Sequence, residues 1–288
     1  MPPTKVPPLN RRRLGRSELM VTELGLGAMD TPQSAEGDAT LAAAIDGGIN
    51  FIDTAREYEG SEYLIGRAVR AIQTDARGNS VKNSVRNFMV ASKTFSHTLD
   101  GSQRDVDKSL SMLGVDRIDL YQLHDISTPE AWHEVQQEDG ALAGLQIAKY
   151  RGLIDHIGIS SHSIEVLRAV ITSGEFAAVM LEYSAFAPET VSLIELAIEH
   201  DVGVIVMRPL GGSGRTSAIR GRIDGGYDGP LTPANLLRYV LSNPGVSVAI
   251  PGARYPSRIE QNVATATSYA PMDAAEMRTL EAEAAQLY

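Results

Sequence analysis

The sequence predicts an α/β fold, a single closed (β/α)8 TIM barrel preceded by a short N-terminal hairpin. Three observations predict it: eight short apolar or β-branched runs recur along the chain, stretches of helical periodicity separate them, and 288 residues suit one such barrel of roughly 250 residues with terminal segments. The runs fall at 22–29, 50–55, 88–93, 118–124, 156–161, 177–183, 203–210 and 247–252. Helical stretches follow at 38–46, 61–72, 103–113, 141–150, 164–172, 190–200, 233–241 and 257–269. Nearly continuous apolar strands alternating with helices describe a parallel sheet covered on both faces. Gly47-Gly48, Gly114, Gly152, Gly174 and Asn243 close helices in the manner of left-handed C-caps. An open doubly wound sheet would instead carry Gly-x-Gly-x-x-Gly after its first strand. Here Gly25-Leu26-Gly27 runs into Ala28-Met29-Asp30 without a third glycine.

The remaining segments fit one domain spanning 1–288. Residues 1–10 are proline-rich and read as a flexible tail, and 11–21 turn at Gly15-Arg16-Ser17 to make the hairpin. The glycine-rich stretch 211–229 reads equally as a lid over a ligand or as a surface insertion.

Composition removes whole classes of function. The chain has no cysteine, which excludes disulfides, thiolate metal sites and cysteine nucleophiles. A net charge of −10 argues against nucleic acid as a partner. The start lacks the apolar core of a secretory signal and no run approaches 18 apolar residues, so a cytoplasmic protein with no membrane partner is expected, as a monomer or small homo-oligomer. No P-loop is present, Gly158-Ile159-Ser160-Ser161-His162 is no nucleophile elbow, and no metal-ligand spacing appears, since His133-Glu134 lacks the second histidine of a zinc helix.

In a parallel barrel the chemistry belongs at the carboxyl ends of the strands. The second run ends in Asp53 with Tyr58 on the following loop, the third in Lys93, and the fourth in His124. Each has a bland alternative: a cap for Asp53, packing for Tyr58, a satisfied core histidine for His124. Lys93 is harder to dismiss. It is one of only five lysines, with Lys5, Lys82, Lys108 and Lys149, and a lysine ending a buried strand needs a partner or a shifted pKa. Asp53 on the adjoining strand is the expected partner.

With these residues in place the chain resembles an aldo-keto reductase along nearly its whole length. Asp53, Tyr58, Lys93 and His124 match that family's catalytic tetrad in order and spacing. Leu14-Gly15-Arg16-Ser17, the stretch 48–55, the stretch 109–124 and Ile250-Pro251-Gly252 support the match. The resemblance implies reduction of a small-molecule aldehyde or ketone by hydride from NADPH, with Tyr58 as general acid. Lys93 would lower the Tyr58 pKa from ~10 by about two to three units. A lysine ammonium ~4 Å away at an effective dielectric of ~20 is worth about 4 kcal/mol, enough for that shift. Asp53 would keep Lys93 charged, and His124 would orient the carbonyl.

The resemblance also places the cofactor. Ser160 and Ser161 align with the pair that holds the carboxamide of the nicotinamide, and Met180 and Met207 stand where many members carry a carboxamide and an aromatic. Met207-Arg208-Pro209-Leu210-Gly211-Gly212 resembles a branch with a Met-(Lys/Arg)-Pro-Leu-Gly-Gly turn, some of whose members add a cysteine-rich ferredoxin-like tail that this chain lacks. Arg208, Leu210 and Gly211 would meet the pyrophosphate or nicotinamide edge. After the last strand, Arg258 would hold the 2′-phosphate with help from Arg254, and Gln261 and Asn262 the adenine. Met29, Asp30, Phe95 and Trp132 would border the substrate. Two other readings use the same residues: a Schiff-base aldolase with Lys93 as nucleophile, and an NADP(H)-binding sensor of slow turnover. Borohydride trapping would reveal the first, and binding without consumption of aldehydes the second.

Overall fold

The computed structural model describes residues 7–72 and 87–287. Most of the expected N-terminal tail, and Lys5 and Lys82, lie outside them. Of the tail's described end, Leu9 is buried and the Asn10 amide donates to Glu23 at 3.0 Å.

Strands β1 (Arg11–Arg13) and β2 (Met20–Thr22) form the antiparallel hairpin. Eight parallel strands follow: β3 (Leu26–Gly27), β4 (Phe51–Asp53), β5 (Met89–Thr94), β6 (Ile118–Leu123), β7 (Ile154–Ser160), β8 (Ala178–Glu182), β9 (Gly203–Met207) and β10 (Val248–Ala249). They pair in sequence order, and bridges from Leu24 to Ala249 and from Gly27 to Gly252 join the first strand to the last. The barrel is therefore closed, at the eight positions the apolar runs predict. β3, β4 and β10 are shorter than their runs. Pro251 has no N–H to continue a ladder, and at Gly25 a side chain would meet the Phe51 carbonyl oxygen at 2.9 Å.

The helices are α1 (Ala35–Asp46), α2 (Ser61–Ile72), α3 (Leu99–Leu113), α4 (Pro129–Val135), α5 (Ala141–Tyr150), α6 (Ile164–Ser173), α7 (Val191–Glu199), α8 (Ser213–Asp224), α9 (Pro233–Leu241), α10 (Pro256–Ser268) and α11 (Ala274–Ala285). Eight of them follow the periodic stretches, and Gly114 and Gly174 close theirs in the left-handed conformation. Helices α4, α8 and α11 are additions to that scheme. Thr128 caps α4, whose first residue is proline, and α11 opens with a reciprocal capping box between Asp273 and Glu276.

Helix α8 lies inside the glycine-rich segment, which is thus not a plain loop. Its Gly214 and Gly221 face open space, while Thr216 and Ile219 are buried, Arg215 lies 4.9 Å over the Phe186 ring, and Arg222 bonds the carbonyls of Gln286 and Leu287. Tertiary anchoring overrides the cost of about 1 kcal/mol per helical glycine.

Strand periodicity divides the apolar residues between two cores. Ile52, Val90, Tyr121, Leu123, Ile159, Val179, Leu181, Val204 and Val206 pack outward under the helices. Phe51, Ala91, Leu120, Ala178, Ile205 and Val248 fill the interior, with Leu14 and Val21 of the hairpin segment packed against them. Gly15 sits against the backbone of Val202 and Gly203, ahead of β9, where any side chain would collide, so the hairpin plugs the amino-terminal end. The carboxyl end is left for loops and function. Among the described residues no helix is long and apolar enough to cross a membrane, and no cluster of three or more His, Asp or Glu could hold a metal ion.

Candidate active site

Two residues beyond Phe51, Ala91 and Leu120, the inward positions of β4, β5 and β6 carry Asp53, Lys93 and Gln122. Across the barrel the corresponding places hold Met180, Met207 and Ile250, which pack with the interior apolar cluster. One side of the mouth is therefore polar and the other apolar. Met180 is buried within the barrel, whereas Met207 is only partly covered.

The four residues of the predicted tetrad meet on the polar side. Lys93 is fully buried and donates from Nζ to Asp53 Oδ2 at 2.6 Å and to the Thr54 carbonyl at 2.7 Å. The Gln122 amide donates to the other Asp53 oxygen at 3.2 Å. Register explains the convergence, since Asp53 pairs with Ala91 and Lys93 with Gln122 across neighbouring strands. Lys93 Nζ lies 4.9 Å from the centre of the Tyr58 ring, and Tyr58 Oη is 3.4 Å from His124 Nε2. The imidazole stacks on Phe95 at 4.0 Å and meets Glu57 through Nδ1 at 3.3 Å.

The electrostatics correct one expectation. Burial pushes the Asp53 carboxyl up and the Lys93 ammonium down, and their mutual contact opposes both shifts. Tyr58 is pushed well above the ordinary tyrosine value, first by burial and then by the negative charges of Asp53 and Glu57. The lowering predicted from Lys93 does not prevail, because burial and then the Asp53 and Glu57 charges raise the phenol instead. Tyr58 is consequently held in its protonated form.

The residues predicted to hold a nucleotide fall into three places. Leu210, Arg258, Gln261 and Asn262 line one groove of about 500 Å³ between α8, α9 and α10. Ser160, Ser161, Arg208 and Gly211 stand nearer the mouth. Both serine hydroxyls already have partners, Ser160 Oγ accepting from Asp125 N at 2.8 Å and Ser161 Oγ from Ser163 N at 3.1 Å. Arg208 adopts a left-handed turn with φ +51° and binds Glu182 at 2.8 Å. Gly211 has φ +83°, and a side chain there would strike the Phe186 ring at 2.5 Å. Arg254 stands apart from the groove and reaches Asp30 at 3.5 Å.

Several residues of the site carry no sequence signal that singled them out. Glu57 and Gln122 hold members of the tetrad, and Glu182 binds both Arg208 and, at 2.6 Å, His162. Arg220 of α8 lines the groove opposite Arg258. Among the described residues it has no carboxylate partner, its Nε is buried without a hydrogen bond, and burial and the Arg258 charge pull its pKa down. Periodicity could have exposed Gln122, which shares the inward face of β6 with Leu120. Arg220 could be found only once its segment was known to be helical.

Comparison with known proteins agrees with this architecture. The profile of the aldo/keto reductase family matches residues 23–284. The chain is 25% identical to the uncharacterized oxidoreductase YqkF of Bacillus subtilis, over 90% of this chain and 92% of that protein. It is similar in structure to a putative aldo-keto reductase of Pseudomonas aeruginosa, PA4992, with a TM-score of 0.70, 26% identity, and coverage of 89% and 94% of the two chains. An aldo-keto reductase of Klebsiella pneumoniae solved in complex with NADPH superposes with a TM-score of 0.73 at 23% identity, covering 96% of this chain and 95% of the other. With eight paired strands, the tetrad geometry and a profile running through nearly all of the barrel, this protein belongs to the aldo/keto reductase family.

Proposed function

We propose that the protein reduces a small aldehyde or ketone to the alcohol at the expense of NADPH, with Tyr58 as the proton donor. The observation that carries this reading is the Tyr58 hydroxyl, half-buried at the barrel mouth beside His124 and above a fully buried Lys93–Asp53 pair. Reduction requires a proton at the carbonyl oxygen as charge develops there. A phenol kept protonated by burial and flanking carboxylates can donate one.

The groove fits the adenosine end of NADPH. Two guanidiniums, Arg220 and Arg258, face it with no carboxylate bound to either among the described residues, Asp224 stands on the same lining, and Gln261 and Asn262 offer amides beside them. Such a cationic corner on an acidic protein suits a phosphate dianion. When bound, NADPH supplies the hydride that reaches the carbonyl carbon. Tyr58 donates to the oxygen, His124 Nε2 stands next to that hydroxyl, and the Lys93–Asp53 pair holds the floor of the site rigid. Phe95, stacked on His124, supplies an apolar border for the substrate, whereas Trp132 packs against Phe176 in the outer core.

The Schiff-base alternative gains no support, because Lys93 has no exposed surface and its ammonium is held by Asp53 and Thr54. The test is NADPH consumption with a panel of aldehydes, ketones and sugar-derived carbonyls, compared with Tyr58→Phe. Equal turnover by the variant would end this assignment. Binding of NADPH without turnover of any carbonyl would favour a sensor.

A further inference from the structure

Glu57 sits between the loop that carries Tyr58 and the imidazole that faces it. Its Oε2 is 3.3 Å from His124 Nδ1, and its Oε1 accepts the Phe95 backbone N–H at 3.2 Å. The Phe95 ring lies parallel to the imidazole, at 4.0 Å and 15°, so His124 is held on one face by Phe95 and at Nδ1 by the carboxylate. Nε2, on the opposite edge, is left 3.4 Å from Tyr58 Oη. The hydrogen bonds from His124 and Phe95 hold the Glu57 carboxyl below its ordinary value although burial opposes them.

We propose that Glu57 is a positioning residue that fixes the hydrogen of His124 on Nδ1, so that Nε2 faces Tyr58 and restores its proton. The inference rests on the reading of Tyr58 as donor. A carboxylate can only accept, so the neutral ring carries its hydrogen on Nδ1 and presents the Nε2 lone pair to the phenol. In the imidazolium, Nε2 also carries a proton. As hydride from NADPH bonds to the carbonyl carbon, the Tyr58 O–H bond breaks and its proton bonds to the carbonyl oxygen. The Nε2–H bond of His124 then breaks and returns a proton to the phenolate. His124 is left neutral with Nδ1–H still bound to Glu57, and Nε2 takes up the one proton that the overall reduction consumes from solvent.

Other charged or titratable groups surround this ring. Asp53 from the end of β4 acts on it from below, Lys93 of β5 lies under the Tyr58 ring, Asp125 follows it in the chain, and Arg208 after β9 acts on Tyr58. Among the described residues, Glu57 is the one carboxylate that hydrogen-bonds the imidazole.

Two readouts test the proposal. In steady-state carbonyl reduction, kcat falls roughly tenfold in Glu57→Gln and Glu57→Ala while KM holds, because Nε2 is no longer held toward Tyr58. In 15N spectra of the neutral ring, assigned against His124→Asn, the wild type shows the Nδ1–H form and Glu57→Ala shifts toward Nε2–H. A kcat and a tautomer both unchanged in Glu57→Ala overturn the proposal. The spectra do not depend on turnover, so full activity of Tyr58→Phe would defeat the donor assignment separately while leaving the tautomer result readable.

Discussion

At the ends of β4, β5 and β6 the charges arrive already paired: Lys93 with Asp53 at 2.6 Å, Glu57 with His124 at 3.3 Å, and Gln122 completing Asp53. In the groove between α8 and α10 the situation is reversed, with Arg220 and Arg258 facing one space and, among the described residues, no carboxylate bound to either. The first region is completed by folding, and the second is the one we propose a ligand completes. Substitutions in the first should therefore cost stability and rate together, whereas substitutions in the second should cost affinity and leave the fold intact.

Lys93→Met should produce the largest effect. It strands Asp53, only 3% exposed, as a buried carboxylate with one amide partner, and breaking such a pair costs roughly 3–5 kcal/mol. Urea unfolding measures it. Asp53→Leu/Lys93→Met should recover most of that loss and no activity, since a well-packed apolar pair replaces buried charges at little cost. A single variant as stable as the wild type would erase the contrast between the two regions. Tyr58→Phe removes a hydroxyl but no charge, so kcat should fall about 10²- to 10⁴-fold while unfolding shifts by less than about 1 kcal/mol.

In the groove, Arg258→Ala should weaken NADPH binding roughly 10- to 100-fold, the scale of a charge-assisted hydrogen bond to phosphate, and leave NADH within about twofold. Arg220→Ala should lower NADPH affinity several-fold, about 1 kcal/mol, without lowering the melting temperature, because it also removes repulsion from Arg258. Fluorescence titration at two salt concentrations checks both. An NADPH/NADH ratio unchanged in Arg258→Ala would remove the phosphate assignment.

The same contrast explains what could be read from the chain. Asp53, Lys93 and His124 stand within one residue of the ends of regular strands, where period-two alternation fixes direction and parallel register fixes neighbours, so their convergence was legible. So were the helix stops at Gly114 and Gly174. The direction of the Tyr58 shift was not legible, because its largest cause, burial, exists only once the loop has folded over the barrel mouth. Helix α8 was hidden for a related reason. Gly214 and Gly221 lower local propensity, and the contacts that compensate, Arg215 on Phe186 and Arg222 on the C-terminal carbonyls, are distant in sequence. Arg220 inherits that illegibility.

Glu182 lies between the two regions and tests whether they are separable. It binds His162 Nδ1 at 2.6 Å and Arg208 at 2.8 Å, and the His162 hydrogen bond is the main cause holding its carboxyl below the ordinary 4.5. A folded carboxyl titrating below its unfolded value binds fewer protons in the native state. Its stabilisation is therefore complete above about pH 4.5 and is lost as pH falls through the folded value. His162 and Arg208 are 37% and 55% exposed, so solvent screens the contribution to below about 1 kcal/mol. Glu182→Gln should thus unfold in slightly less urea than the wild type at pH 7 and at the same concentration near pH 3. It should also leave Lys93-dependent stability unchanged, since the two carboxylate networks share no partner. A difference that persisted at pH 3 would show that packing rather than charge holds Arg208 in its left-handed turn.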